Sequence, residues 1–223
     1  MAAAYVPFSR GQWFFTRMSD LAAIESVIIE VAPTAQVAEA FYTDVFSMGN
    51  RVQVRPSEAP ATGFRGFTMS LVVSQPATVN SLMDNARDAG ATVIKQAAKS
   101  LWGYGGVLQA PDGTIWTVAS SSKKDTGPAN LQIDAMVLQL GVADVAASKQ
   151  FYLDRGLTLA KSFGSRYVEF DTGPIKLTLN KRAALAKTAG VSADGTGSHR
   201  LLISGDAGTF TDPDGFVWEA PLG

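Results

Sequence analysis

The chain has 223 residues, with 19 Lys and Arg against 20 Asp and Glu and a single histidine, so its formal net charge is −1. That balance argues against a general cationic nucleic-acid binder, whose affinity comes mainly from phosphate contacts. The absence of cysteine excludes disulfides, thiolate nucleophiles and Cys-ligated zinc. No apolar run approaches the roughly 20 residues of a membrane helix, while the 46% apolar content suffices for a substantial core.

Residues 1–21 read as an N-terminal arm. Arg10 interrupts the apolar stretch that a secretory signal needs, and Arg17 follows it. A cytoplasmic protein is therefore expected, with Trp13, Phe14 and Phe15 packed on the body. The β-branched run at 24–31 favours a strand. A helix follows, with Thr34 as its N-cap and Val37, Phe41 and Val45 on one face. Residues 67–73 form a further strand. Residues 78–89 form a helix that turns Val79, Leu82, Met83 and Ala86 inward and stops at Gly90. The polar stretch 120–130, with Gly127 and Pro128, is a linker. A strand over 133–140 then leads to a helix capped by Asp144. Two strands, 166–170 and 175–179, are joined by a turn at 171–174. A short helix over 181–189 comes next, then a segment flexible by composition over 192–198. A strand over 199–204 and a terminal strand around Trp218 close the chain.

The two halves repeat each other. IESVIIEV from Ile24 matches IDAMVLQL from Ile133, 109 residues later. AEAFYTD around Phe41 and Tyr42 recurs as SKQFYLD around Phe151 and Tyr152, at an offset of 110. APDGTIWT from Ala110 recurs as DPDGFVWE from Asp212, at an offset of 102, so the second unit is about eight residues shorter between its helix and its last strand. The organisation read from this is an arm at 1–21, a first βαβββ module at 22–119, a linker at 120–130, and a second, shortened βαβββ module at 131–223.

The two FY-containing helices, the two PDG turns and Trp102-Gly103 upstream of the first of them resemble the vicinal oxygen chelate superfamily, also called the glyoxalase/bleomycin-resistance/dioxygenase superfamily. The resemblance spans about residues 22–221. It implies an α+β fold of two paired βαβββ modules whose curved mixed sheets enclose a cleft. A fold hosts many activities, so the site has to decide the chemistry. Metal-using members resembled here carry a His or carboxylate on each first strand and a carboxylate on each last strand. The matching positions are Ser26, Ala135, Thr117 and Glu219, and only Glu219 is a normal ligand. No cofactor is therefore expected, and a divalent metal is the alternative.

Strand alternation puts Ser26, Ile28 and Glu30 on one face, with Ala135, Val137 and Gln139 as their counterparts. On the last strands Trp116 and Trp218 must face opposite to Thr117 and Glu219. Glu30, Gln139, His199, Glu219 and Trp102 are the candidate ligand-binding residues. His199 titrates near neutrality, which suits a ligand donor or an acid/base group as well as a simple structural pairing. Trp102 offers a ring for stacking. No Walker or GxGxxG loop is present. The leading expectation is metal-independent binding of a small, partly apolar molecule in an inter-sheet cleft, as in the bleomycin-resistance branch that the sequence resembles. The alternatives are a metal-dependent lyase, isomerase or dioxygenase, and a structural or protein-interaction module. A homodimer is compatible with two modules per chain but not required by them.

Overall fold

The computed structural model describes residues 22–32, 35–197 and 200–221, the side chains of 35–38 excepted. The arm at 1–21, the Thr34 cap, the Val37 side chain and His199 lie outside them. The first half runs β1 (Ile24–Val31), α1 (Ala35–Asp44), a 3-10 turn (Gly49–Arg51), β2 (Val52–Pro56), β3 (Thr62–Gly63), β4 (Phe67–Val72), α2 (Pro76–Asp88), β5 (Thr92–Ser100), β6 (Gly103–Gln109) and β7 (Ile115–Ser120). The second half runs β8 (Ala135–Val142), α3 (Val145–Leu153), β9 (Thr158–Ser162), β10 (Tyr167–Asp171), β11 (Ile175–Lys181), α4 (Arg182–Ala189), β12 (Gly195–Thr196), β13 (Leu201–Gly205), β14 (Phe210–Thr211) and β15 (Val217–Glu219).

Local chemistry explains several of these elements. Asp144 caps α3 by accepting from the backbone N–H groups of Ala146 and Ala147. Helix α2 starts on Pro76 and buries Val79, Leu82, Met83 and Ala86, as their helical spacing predicts. Gly90 follows with φ at +98°, a conformation that suits glycine. Of the segment 192–198, Ser198 lies outside the described residues, and within the rest β12 pairs with β3.

The strands form a mixed α+β arrangement of two main sheets. The larger has the order β5-β6-β7-β4-β8-β11-β10-β9, and the smaller β14-β15-β13-β1-β2. Strands β4 and β8 pair antiparallel, from Phe67 opposite Leu140 to Val72 opposite Ala135. The eight-stranded sheet thus joins two complete βαβββ units, one from β4 to β7 and one from β8 to β11. The five-stranded sheet joins β1-α1-β2 to β13-β14-β15, a unit with no helix. Each sequence repeat therefore contributes strands to both sheets, which is invisible in the repeat itself.

Alternation fixes the two faces of the large sheet. Met69, Leu71, Trp116, Val118, Leu138, Leu140, Leu177 and Leu179 face the helices and are fully buried. They share one apolar core with Ile24, Val27, Ile29, Ile203 and Trp218 of the small sheet. These side chains fill the side on which the two sheets share a core, and the cleft lies on the opposite, open side of the curved sheets. Burying each large aliphatic group in the shared core stabilises the fold by roughly 1.5–3 kcal/mol.

The FY helices and PDG turns hold the sheets together. Helix α1 leaves the small sheet and packs Tyr42, with Phe46 of the turn that follows it, on Trp116 of the large one, at ring distances of 5.5 and 5.1 Å. Helix α3 leaves the large sheet and packs Tyr152 on Trp218 of the small one, at 5.7 Å. The Tyr42 hydroxyl donates to Asp112 Oδ1 at 2.9 Å, and the Tyr152 hydroxyl donates to Asp212 Oδ2 at 2.6 Å. Asp214, the PDG carboxylate of the second repeat, instead accepts from Ala143 N and Ser148 Oγ at the start of α3. The most specific sequence marks are thus structural clamps.

Candidate functional site

The open face of the eight-stranded sheet is set by the residues between the core positions. Thr68 Oγ1 donates to Gln139 Oε1 at 2.9 Å, and Thr178 lies beside Gln139 in the register of β11 and β8. Beyond Thr178 comes Glu169, half-enclosed by Tyr167, Lys161 and Lys176. Burial and the Glu169 carboxylate push the Tyr167 hydroxyl well above its ordinary pKa, so it remains a neutral donor. This row is a partnered polar ladder.

Helix α4 lies across one end of the same face. Its Leu185, Ala186 and Ala189 pack on Phe64, Val107 and Ile115. Arg182, at the first turn of α4, donates to the carbonyls of Phe64, Ala193 and Gly195, tying the β3 and β12 segments to the helix. Arg200 does the same for the preceding loop, donating to the carbonyls of Glu30, Ala59 and Ser57.

The uncovered end is an open groove of about 340 Å³ lined by β5, β6, β7 and the C-terminal end of α4. Its floor is nearly free of side chains, made by Gly103, Gly105, Thr117 and Ala119. A Cβ on Gly103, whose φ is +145°, would overlap the Ser120 carbonyl oxygen. A Cβ on Gly105 would stand 2.8 Å from the Val118 carbonyl oxygen. The strands approach too closely there for anything larger. Strand β5 carries one extra residue between Lys95, opposite Val107, and Ala98, opposite Gly105. Such a bulge bends the edge of a sheet and re-aims its side chains. At the hairpin tip Trp102 is 86% exposed and lines the groove. Lys95 forms part of the wall, its Nζ donating to the carbonyls of Lys187 and Thr188 at 3.1 and 2.6 Å.

The small sheet has its own open face. Ser26, Ile28, Gln53, Ser204 and Glu219 line a pocket of about 100 Å³ there. The Glu219 carboxylate is paired with Arg55, 3.2 Å away. Glu30 lies in register with Arg55 on the same sheet.

Among the sequence candidates, then, Glu30 and Glu219 share the small sheet, while Gln139 and Trp102 belong to the large one. Gln139 is not among the groove's lining residues. The repeat makes Glu30 and Gln139 equivalent, yet the structure puts them on different sheets. The strand-face rule for the tryptophans is resolved in one direction: Trp116 and Trp218 point into the core, Thr117 and Glu219 outward. Sequence reasoning missed Lys95. No local pattern distinguishes it from a solvated strand lysine, and only the return of α4 across the sheet gives it partners.

The overall fold is similar to that of solved structures. Glyoxalase I from Zea mays superimposes with a TM-score of 0.57 at 15% identity, over 88% of this chain and 91% of that one. A putative dioxygenase from Bacillus subtilis subsp. subtilis str. 168 superimposes with a TM-score of 0.51 at 12% identity, over 82% of this chain and 69% of that one. This is the vicinal oxygen chelate fold. No protein-family model and no curated protein matches the sequence.

The vicinal oxygen chelate fold implies a divalent ion in many of its members, so the donors present must be tested against one. On the large sheet the expected positions hold Thr117 and Ala135, neither of which is a normal metal ligand. On the small sheet they hold Ser26 and Glu219, and the one carboxylate is already neutralised by Arg55. Among the described residues no three His, Cys, Asp or Glu side chains are grouped to hold an ion. These donors do not fit such a centre. Among the same residues no helix is long and apolar enough to cross a membrane.

Proposed function

We propose that the chain is a metal-independent binder of a small, partly apolar molecule, which it holds in the groove between the β5–β6 hairpin, β7 and the end of α4. The observation that carries this reading is an open groove of about 340 Å³ with a floor of glycine, alanine and threonine, in which Thr117 occupies the strand position where a carboxylate ligand was expected. Pockets of a few hundred Å³ with apolar walls and few polar groups are the usual home of small ligands. In this reading Trp102 covers the occupant, and Thr117 and Ser100 offer hydroxyls to its polar groups. Glu30 and Glu219 belong to the other open face and take no part.

A fragment screen by amide NMR on chelator-treated protein tests the proposal. Hits should move the amides of Gly103, Gly105, Thr117 and Ala119, with affinities unchanged by added divalent ions. Binding that appears only after metal is restored, or that maps to Glu219 and Ser204, would overturn it.

A further inference from the structure

The lining of the same groove restricts what it can hold, an argument that rests on the binding role proposed above. The floor offers almost no relief, since Gly103 and Gly105 have no side chain and Ala119 only a methyl group. A flat floor presents its area to a flat partner, and a bulky three-dimensional one would touch it at few points. The exposed indole of Trp102 is also part of the lining and is a stacking surface for a conjugated ring.

The charge is equally one-sided. Lys95 and Lys99 are among the lining residues, and no Asp or Glu is. Lys95 is more than a mobile surface cation. Its ammonium is anchored by the last carbonyls of α4, from Lys187 and Thr188. An ammonium has three N–H donors. Two are used here, and among the described residues no partner takes the third. The ordering cost of this side chain is met in the fold itself, so an incoming anion need not supply it.

We infer that the groove accepts a planar aromatic anion, its ring on the Gly103–Gly105–Ala119 floor and against Trp102 and its carboxylate on the open N–H of Lys95. A neutral analogue retains the stacking and loses the charge-assisted hydrogen bond. A cationic analogue meets Lys95 as a like charge.

Three probes of one ring system separate these contributions: 2-naphthoate, 2-naphthalenemethanol and 2-naphthylmethylammonium, titrated by calorimetry with amide NMR to locate each. Naphthoate should bind about tenfold or more tightly than the alcohol, and the ammonium weakest of the three. Lys95→Met should abolish the preference for the anion, and Lys95→Arg should restore most of it. If loss of the helix anchor unfolds Lys95→Met, Trp102→Ala keeps the inference testable. Its side chain is exposed, and its removal should weaken naphthoate and alcohol by a similar factor of about ten. Equal affinity for all three probes, or tightest binding of the ammonium, would overturn the inference and leave the groove's binding role standing. Failure of every probe to move groove amides would count against both.

Discussion

Tyr152→Phe removes one oxygen from the clamp between α3 and the last hairpin, and the structure sets how much that should cost. The Tyr152 hydroxyl donates to Asp212 and also lies 3.4 Å from the Trp218 indole nitrogen, which donates to it. Asp212 keeps its backbone donors, the N–H groups of Asp214 and Phe216. Loss of a buried hydrogen bond to a charged group costs about 1.5–3 kcal/mol. The stranded indole N–H pushes the expectation to the upper part of that range, about 2–3 kcal/mol. For a chain of this size that is a fall in Tm of roughly 4–12 °C. The effect should also depend on pH. Burial is the main cause that raises the Asp212 carboxyl above its ordinary pKa, and the Tyr152 hydroxyl is the first of those that pull it back. Without that hydroxyl the carboxyl rises further. A carboxyl whose pKa is raised by folding binds its proton more tightly in the native state. The stability this gives is complete below the ordinary carboxylate pKa and is lost as pH rises through the folded value. The loss in Tyr152→Phe should therefore grow from acid to neutral pH. Urea unfolding at several pH values measures it. A loss below about 0.5 kcal/mol at neutral pH, within the scatter of ordinary surface changes, would refute the clamp.

Arg182→Ala should lower stability by about 2–4 kcal/mol, because three carbonyls lose a shared guanidinium donor. Hydrogen exchange should then rise first in residues 62–66 and 193–196. Trp102→Ala should leave stability within about 0.5 kcal/mol of the parent by chemical denaturation, since its side chain is exposed. Glu219→Gln should cost less than about 1 kcal/mol, because its ion pair with Arg55 is partly solvated. It should also leave ligand affinity in the large-sheet groove unchanged, and a tenfold loss there would contradict the separation of the two open faces.

Much of the fold was legible because its signals are local or repeated. The helical spacing of Val79, Leu82, Met83 and Ala86 marks the buried side of α2, and Asp144 marks the start of α3. The paired FY and PDG segments mark two related halves. Their partnership was not legible, since Tyr42 meets Asp112 seventy residues away and Tyr152 meets Asp212 sixty away. Sheet membership was hidden for the same reason: β1 pairs with β13, and β4 with β8, across long sequence separations. That pairing decides which side of each curved sheet is packed and which is left open. Trp102 was legible as a ring near a turn. Lys95 was not, because its role comes from a helix that returns across the strand from 92 residues later in the chain.

The most direct test is a structure of the chelator-treated protein with a bound fragment. The account predicts density on the Gly103–Gly105–Ala119 floor, within reach of Lys95 and Trp102 and with no ion between ligand and protein. A ligand seated instead on the small sheet through Glu219, or held in the groove only through a coordinated cation, would contradict it.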